Sequence, residues 1–415
     1  MIRKLVLLLV MLFVVIAMNA QDDAKYRRSS IYSIMIRHHN QQFANDITRV
    51  FVDMPVPDKY NSHDLSIKIV SVDEKKVALE DKAVNDFLIR NNVASHMVAR
   101  WFNRDPATGV CNMDLVKSRG LYSASEFDKI LASKAVRGNA ILEDAGEELI
   151  GHTFVLLNDI RYIDRGSGSS VFGGVVRMVG GVATAAKKSE QNNNNNNTNN
   201  TNNNQNQNDY EDLAKMTESY KGFKVKIHSY LYRLVWDEDL AAEFYTNVFS
   251  ENPDENKCKY FEQMRPKFHL ELVGEQTSSG SNVSFMGINE DQPLLMVRKA
   301  CQRALDENVA NLQHNFDVFK VKEPLRTTEP ITAYIGLKEG MSSSSRYEVL
   351  EVNREINGKT TYKRVGVVAP ESDKIWDNRF MASEEKAKGA NLGYTTFRKI
   401  SGGDFYQGML IREIK

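Results

Sequence analysis

The pattern of apolar and polar residues predicts strands at three well-separated places in the chain. These are SIYSIMIR from residue 30, HTFVLLNDIRYID from residue 152 and FKVKIHSYLYRLVW from residue 223. In the last segment the apolar side chains between Phe223 and Leu231 share one face, while Lys224, Lys226 and His228 point away. Leu65 to Val72 is predicted as a further strand. So is Lys267 to Val273, with Phe268, Leu270 and Leu272 facing inward.

A period near 3.6 residues predicts helices between these strands. Gln41 to Met54 forms one helix, which Pro55 ends, and a single apolar stripe follows Lys82 to Trp101. Another helix is predicted to begin at Ser123, because Glu126 three residues later completes a capping box. Pro293 opens a helix that continues to about Gln313, with one apolar face formed by Leu294, Val297, Cys301, Ala304 and Leu312.

The period changes to two from about Thr332, which predicts a β-rich C-terminal end. Asn357-Gly358 is expected to turn a hairpin between Ser345–Asn353 and Lys359–Ala369. Gly402 to Asp404 is expected to turn a second hairpin between Tyr394–Ile400 and Phe405–Ile414. The predicted fold is therefore an α/β or α+β main domain followed by a small all-β, barrel-like domain.

These patterns divide the chain into five segments. We expect a signal peptide over residues 1–20, an α/β domain over 21–165 and 210–325, an insertion over 166–209, and a small β domain over 326–415.

The first segment has the features of a secretory leader. Arg3 and Lys4 precede the apolar run from Leu5 to Ala17, and Ala20 is a small residue at the expected cleavage site. Position 21 is glutamine, so the cysteine that carries a bacterial lipoprotein anchor is missing there. We expect a soluble exported protein in the periplasm or at the periphery of the outer membrane, without a lipid anchor.

The predicted insertion has two parts of different composition. Gln191 to Asn208 is almost pure asparagine and is predicted to be a disordered linker, because it has no apolar side chains to bury. The preceding Gly/Val-rich stretch is a passive loop, an apolar segment folded onto its own domain, or a membrane or partner contact. The candidate contact residues are Val171, Phe172, Gly173, Gly174, Val175, Val176, Gly180 and Gly181.

Charge and metal-binding patterns narrow the range of functions. Without Arg3 and Lys4 the chain carries 52 basic and 54 acidic residues, so it lacks the basic excess typical of proteins that bind nucleic acids. His38 and His39 are adjacent and cannot bind one ion from the same strand face. No zinc, calcium, Walker or dinucleotide motif is present, so neither a metal nor a cofactor is expected.

The three cysteines leave one question open. A disulfide between Cys258 and Cys301 is one alternative, and a buried thiol at Cys301 is the favoured one.

No sequence motif identifies a catalytic residue. The acidic pairs at Glu147-Glu148 and Asp237–Asp239 are adjacent in sequence, whereas the two carboxylates of a glycosidase lie roughly 5–10 Å apart around a sugar bond. Trp101, Trp236 and Trp376 could stack on a glycan if they formed a platform, but their wide spacing favours packing roles.

The order of the elements resembles a family of envelope proteins. SIYSIMIR, HTFVLLNDIRYID and FKVKIHSYLYRLVW, with a Gly-rich stretch between the last two, are similar to the periplasmic α/β domain of the curli-export channel family and its flagellar-accessory and TolB N-terminal relatives. Gly336-Leu337-Lys338-Glu339-Gly340 resembles a turn in the C-terminal β-module of the flagellar accessory proteins. The resemblance implies a membrane hairpin between the two strands and a role in secretion or outer-membrane assembly.

Two functions from different classes remain. The first is a non-enzymatic envelope protein that binds protein partners or self-associates, does not bind nucleic acid, and contacts a membrane through residues 166–190. The alternative is a periplasmic hydrolase that acts on glycan or peptide.

Overall fold

The protein is described by a computed structural model. Its chain forms two β-sheets. Helices pack on the first sheet, and the second sheet, at the C-terminal end, is entirely antiparallel. The predicted mixed α/β architecture with a C-terminal β-module is therefore confirmed. The described residues are 27, 29–71, 81–123, 146–163, 223–281, 293–354, 360–382 and 392–414.

The first sheet combines a parallel half and an antiparallel half. Its strands are β1 (Ser30–Arg37), β2 (Asn61–Ser62), β3 (Ile69–Ser71), β4 (Thr153–Tyr162), β5 (Lys224–Leu234) and β6 (Leu270–Ser281). β1 pairs in parallel with β4 on one side and with β2 and β3 on the other. β5 continues the sheet antiparallel to β4, and β6 lies outside β5. The strands predicted from residues 30, 152 and 223 coincide with β1, β4 and β5.

Helices cover both faces of this sheet and create two hydrophobic cores. The helices are α1 (Ala44–Val52), α2 (Asp81–Arg90), α3 (Val93–Trp101), α4 (Asp114–Ser123), α5 (Glu238–Asn247), α6 (Glu255–Met264) and α7 (Pro293–Asn315). α2 to α6 supply the first core, with Tyr232 and Leu157 from the sheet. α1 and α7 supply the second, with Leu156 and Ile227. Alternate residues of β4 and β5 thus enter opposite cores, as the period of two requires.

α7 approaches β6 closely because two glycines of the strand leave room for it. A Cβ atom on Gly280 would lie 1.9 Å from the Ala300 carbonyl oxygen, and one on Gly274 would lie 2.0 Å from the Phe316 ring. Val297, Cys301 and the rest of the predicted apolar stripe of this helix accordingly pack in the second core.

Two strand predictions are wrong in part. Between Leu65 and Val72 only Ile69–Ser71 is a strand, because Ser66 adopts φ 70° and turns the chain. β6 extends to Ser281, and Leu272 is 44% exposed although the alternation predicted an inward position. A register shift in the β5–β6 pairing, between Leu231 and Tyr232 of β5, interrupts the simple period at that point.

One helix prediction also needs correction. The stripe from Lys82 to Trp101 is divided between α2 and α3, because Asn92 adopts a left-handed φ of 49° before α3 begins. The helix predicted to begin at Ser123 lies outside the described residues, since Ser123 is the last described residue of α4. The start of α4 is marked by Asn112, whose Oδ1 accepts a hydrogen bond from the Asp114 backbone N–H at 3.1 Å.

The second sheet forms the C-terminal β-module. Its strands are β7 (Glu323–Thr328), β8 (Ile331–Ala333), β9 (Arg346–Arg354), β10 (Thr360–Pro370), β11 (Thr395–Gly402) and β12 (Leu410–Ile414). They pair in the order β10-β11-β8-β7-β12-β9, and β9 also pairs with β10. The predicted β9–β10 hairpin pairing is confirmed, and its expected turn at Asn357-Gly358 lies outside the described residues. The second predicted hairpin is wrong, because β11 pairs with β8 and β10 while β12 pairs with β7 and β9.

The module is attached to the first sheet through α7 and the chain after α1. The Gly336–Gly340 turn lies against α7, where a Cβ atom on Gly340 would lie 3.3 Å from Ala310. Tyr60 stacks on Phe319, with ring centroids 4.9 Å apart. We call this contact between α7, residues 57–60, the start of β7 and the 336–340 turn the joint.

The three cysteines are free thiols. Cys301 is fully buried in the second core and Cys111 is buried in the first, which confirms the expectation of a buried thiol at Cys301. Cys258 lies on α6, on the other side of the sheet from Cys301, so these two residues do not pair.

Candidate functional site at the root of the insertion

The chain leaves the first sheet after β4 and returns to it at β5, and these two strands are direct neighbours. Tyr162 is paired with Val225, and the Ile163 N–H donates to the Lys224 carbonyl at 2.9 Å. Ile163 and Lys224, the described residues on either side of the insertion, are thus one strand spacing apart, about 5 Å. We call the residues that surround this point, 38–45, 158–163 and 223–229, the insertion root.

One face of the insertion root is fixed by aromatic packing. The rings of Phe43, Tyr162 and Phe223 form a closed trio with centroid distances of 5.0, 5.3 and 5.4 Å. The Gln41 amide donates to the Ile160 carbonyl at 3.1 Å and accepts from the Tyr162 N–H at 2.9 Å. The loop between β1 and α1 thereby holds the end of β4.

The opposite face is fixed by charges. His38 Nε2 lies 2.5 Å from Asp159 Oδ1, and Arg161 Nε and Nη2 each donate to Asp159 Oδ2 at 3.2 Å. Burial alone would raise the pKa of Asp159, but its hydrogen bond with His38 and the nearby Arg161 hold that pKa below its ordinary value. Asp159 is therefore an anion at neutral pH, and it ties the loop after β1 to β4.

A second imidazole lies beside this pair. His228 is the cross-strand neighbour of Asp159 and lies on the same face of the sheet. Thr277 Oγ1 lies 2.9 Å from His228 Nδ1, and Glu275 Oε2 lies 2.9 Å from His228 Nε2. The order hydroxyl, imidazole, carboxylate is the one that nucleophilic hydrolases use. Here the His228 and Glu275 side chains are 33% and 49% exposed.

Unbalanced positive charge completes this face. Lys226 is the direct cross-strand neighbour of Arg161, a pairing of like charges that is unfavourable by itself. Neither Lys224 nor Lys226 forms an ion pair with the residues that the structure describes. The geometry therefore suits recognition of a polar or anionic partner better than proton transfer, because its buried carboxyl is held ionised rather than near neutral.

The contact residues predicted from sequence, Val171 to Val176 with Gly180 and Gly181, lie outside the described residues. The tryptophans do not meet: Trp101 is buried beside Arg119, Trp236 packs on Phe102, and Trp376 lies near Tyr334 in the β-module. The acidic pairs have structural roles. Asp237 caps α5, and Glu148 Oε1 accepts from the Thr360 N–H of β10 at 2.8 Å.

Sequence reasoning missed the His38–Asp159–Arg161 group. Its signal was present, since Asp159 and Arg161 are charged residues two apart in a strand and so share one face. The partner on β1 could not be identified without the strand pairing.

Comparison with family models and with curated proteins finds no match to this sequence. Within the described ranges, no three His, Cys, Asp or Glu side chains are grouped so that they could hold a metal ion. None of the described helices is long and apolar enough to span a bilayer.

Proposed function

We propose that this chain is an exported, non-enzymatic protein of the bacterial envelope that binds or assembles with protein partners, and that its central insertion is the contacting element. One observation carries the proposal. The two described strands that flank the insertion in sequence, β4 and β5, are neighbours, and their ends are fixed on both faces by the aromatic trio and by the His38–Asp159–Arg161 group. A rigid base of this kind can present a long segment to a partner without disturbing the sheet.

The finer parts of the proposal rest on the sequence. Export rests on the leader, membrane contact rests on the Gly/Val stretch, and a role in secretion or outer-membrane assembly rests on the resemblance to the curli-export channel group. We further propose that the C-terminal β-module is a small barrel, which is supported by the second pairing of β9 with β10.

Deletion of the insertion tests this proposal. Residues 166–209 are replaced by a short Gly/Ser linker in the chain that starts at Gln21, and native mass spectrometry and flotation with lipid vesicles compare the two proteins. We expect the parent to form a defined oligomer or to float with vesicles. The deletion variant should lose that property and keep its unfolding midpoint, because the flanking strands remain paired.

A matched control separates the effect of the Gly/Val-rich part of the insertion from that of its Asn-rich part. A variant that lacks only the Asn-rich stretch 191–208 should behave like the parent. A parent that is monomeric and free of vesicles, or a deletion variant that is indistinguishable from its parent, would contradict the proposed function.

One geometric observation supports the alternative function, a hydrolase: His228 lies between the Thr277 hydroxyl and the Glu275 carboxylate. It predicts that the parent cleaves members of a glycan or peptide panel and that Thr277→Val abolishes this cleavage. A Ser279→Ala variant, which changes an exposed hydroxyl on the same strand, is the control.

A further inference from the structure

The joint brings charged side chains together between the first sheet and the β-module, and two of them, Asp306 and Glu323, are buried carboxyls. Four carboxyls and three cations meet there, from α7, the chain after α1, β7 and the 336–340 turn. They are Asp58, Asp306, Glu323 and Glu339, with Lys59, Arg303 and Lys338. With every carboxyl ionised the set carries one negative charge in excess.

Glu323 lies at the start of β7 and faces the chain after α1. Its Oε1 lies 2.9 Å from Lys59 Nζ, and both side chains are nearly covered. Asp58 and Glu339 add negative charge nearby. Burial outweighs the attraction of Lys59 and raises the pKa of Glu323 to about 7.

Asp306 is the second buried carboxyl of the joint, and it lies on α7. Its Oδ2 is buried and accepts no hydrogen bond from the described part of the chain. The nearby Lys338 donates instead to Asp58 Oδ1 at 2.8 Å.

Asp306 also has too little positive charge around it. Arg303, on the same helix, donates to the Phe380 carbonyl at 2.9 Å, and Glu339 and Asp58 oppose a second anion. Burial raises the pKa of Asp306 to about 7.

We propose that the joint is a proton-controlled switch: the β-module docks firmly on α7 while Asp306 and Glu323 hold protons, and the docking weakens when they ionise. Neutral carboxyls are far less costly to bury than carboxylates that lack enough partners. The two groups belong to different parts of the fold, so their ionisation acts on the contact between those parts.

The direction of the pH effect follows from linkage. In the separated state both carboxyls would ionise near pH 4, whereas in the docked state they hold their protons to about pH 7. Docking is therefore strongest below pH 4, weakens between these values and is constant above them. Each carboxyl can weaken docking by up to ~10³-fold across this interval.

Spin labels on both sides of the joint test the switch. Ile89 on α2 and Ile400 on β11 are exposed and can be replaced by cysteine in a Cys258→Ser background, because the other two cysteines are buried. We expect one narrow distance at pH 6 and an added population of longer distances at pH 8.5. Asp306→Asn with Glu323→Gln should keep the narrow distance at both pH values.

The control is Glu371→Gln, which removes a carboxyl that pairs with Lys374 on the outside of the module. It should respond to pH like its parent. A parent distribution that is the same at both pH values overturns the proposal, as does a double variant that broadens as the parent does. If the double variant fails to fold, each single replacement must still reduce the change with pH.

Discussion

The guanidinium of Arg119 lies 4.2 Å from the ring centroid of Trp101, and both side chains are buried on the side of the first sheet that α2 to α6 cover. Arg119 Nη1 donates to Ser30 Oγ at 2.9 Å and to His63 Nδ1 at 2.8 Å, and Nη2 donates to the Ser62 carbonyl at 2.8 Å. None of the described carboxylates pairs with it. Burial lowers its pKa to about 9, so it stays a cation at neutral pH. Its hydrogen bonds and the ring therefore offset the loss of hydration.

Replacement of Arg119 should consequently destabilise the fold. We expect Arg119→Met to lower the free energy of unfolding by about 3 kcal/mol, because it leaves the buried Ser30 hydroxyl and His63 Nδ1 without their donor. Urea unfolding measures the loss. Arg90→Met, at an exposed position on α2, should change the free energy by less than about 0.5 kcal/mol. Equal effects of the two variants would contradict this role.

His63 should make the protein sensitive to acid. Its Nε2 donates to the Met97 carbonyl at 2.9 Å while Nδ1 accepts from Arg119, so the folded state requires the neutral ring. Burial and the charge of Arg119 lower its pKa well below the ordinary value. The unfolded chain therefore takes up the proton first, and stability falls by about 1.4 kcal/mol per pH unit below about pH 6.5.

His63→Gln provides the measurement, because an amide can donate and accept at the same two positions without titrating. When the pH is lowered from 7 to 5, the parent should lose more unfolding free energy than this variant. The contribution of Asp306 and Glu323 has the opposite sign but is common to both proteins. A difference that is independent of pH would show that His63 does not titrate on unfolding.

The first sheet was predictable because its central strands, β1, β4 and β5, are long and mostly apolar segments. The residues from Phe223 to His228 alternate between core and polar face as the pattern indicates, and β1 begins and ends where SIYSIMIR does. The failures at Ser66 and Leu272 arise where backbone conformation and a register shift interrupt the period. Neither feature has a hydrophobic pattern of its own.

The insertion root and the joint were not predictable for a different reason. His38 and Asp159 are 121 positions apart, and Lys338 and Asp58 are 280 apart. Each pair depends on which strands and turns are neighbours, which a single sequence does not specify. The β11–β12 hairpin failed in the same way, since turn residues between two strands do not decide whether those strands pair.

The thiols should differ sharply in reactivity. Cys258 is partly exposed on α6, with Arg104 Nη2 at 3.3 Å from its Sγ, whereas Cys111 and Cys301 are buried. Burial raises the pKa of Cys301 to about 12 and also raises that of Cys111, which keeps both protonated. We expect a maleimide to label one thiol rapidly in the native protein and three in denaturant. Cys258→Ser should abolish the rapid step, and its persistence would contradict the assignment.

The close approach of α7 to β6 should make Gly280 intolerant of any side chain. A Cβ atom there would lie 1.9 Å from the Ala300 carbonyl oxygen, which belongs to helix backbone and cannot rotate away. Gly280→Ala should therefore push α7 from the sheet and lower the free energy of unfolding by about 3 kcal/mol. Gly403→Ala is the matched control, because nothing lies within 4 Å of its added Cβ atom. Urea unfolding of both variants decides the point: similar midpoints would mean that α7 does not lie against β6 at Gly280.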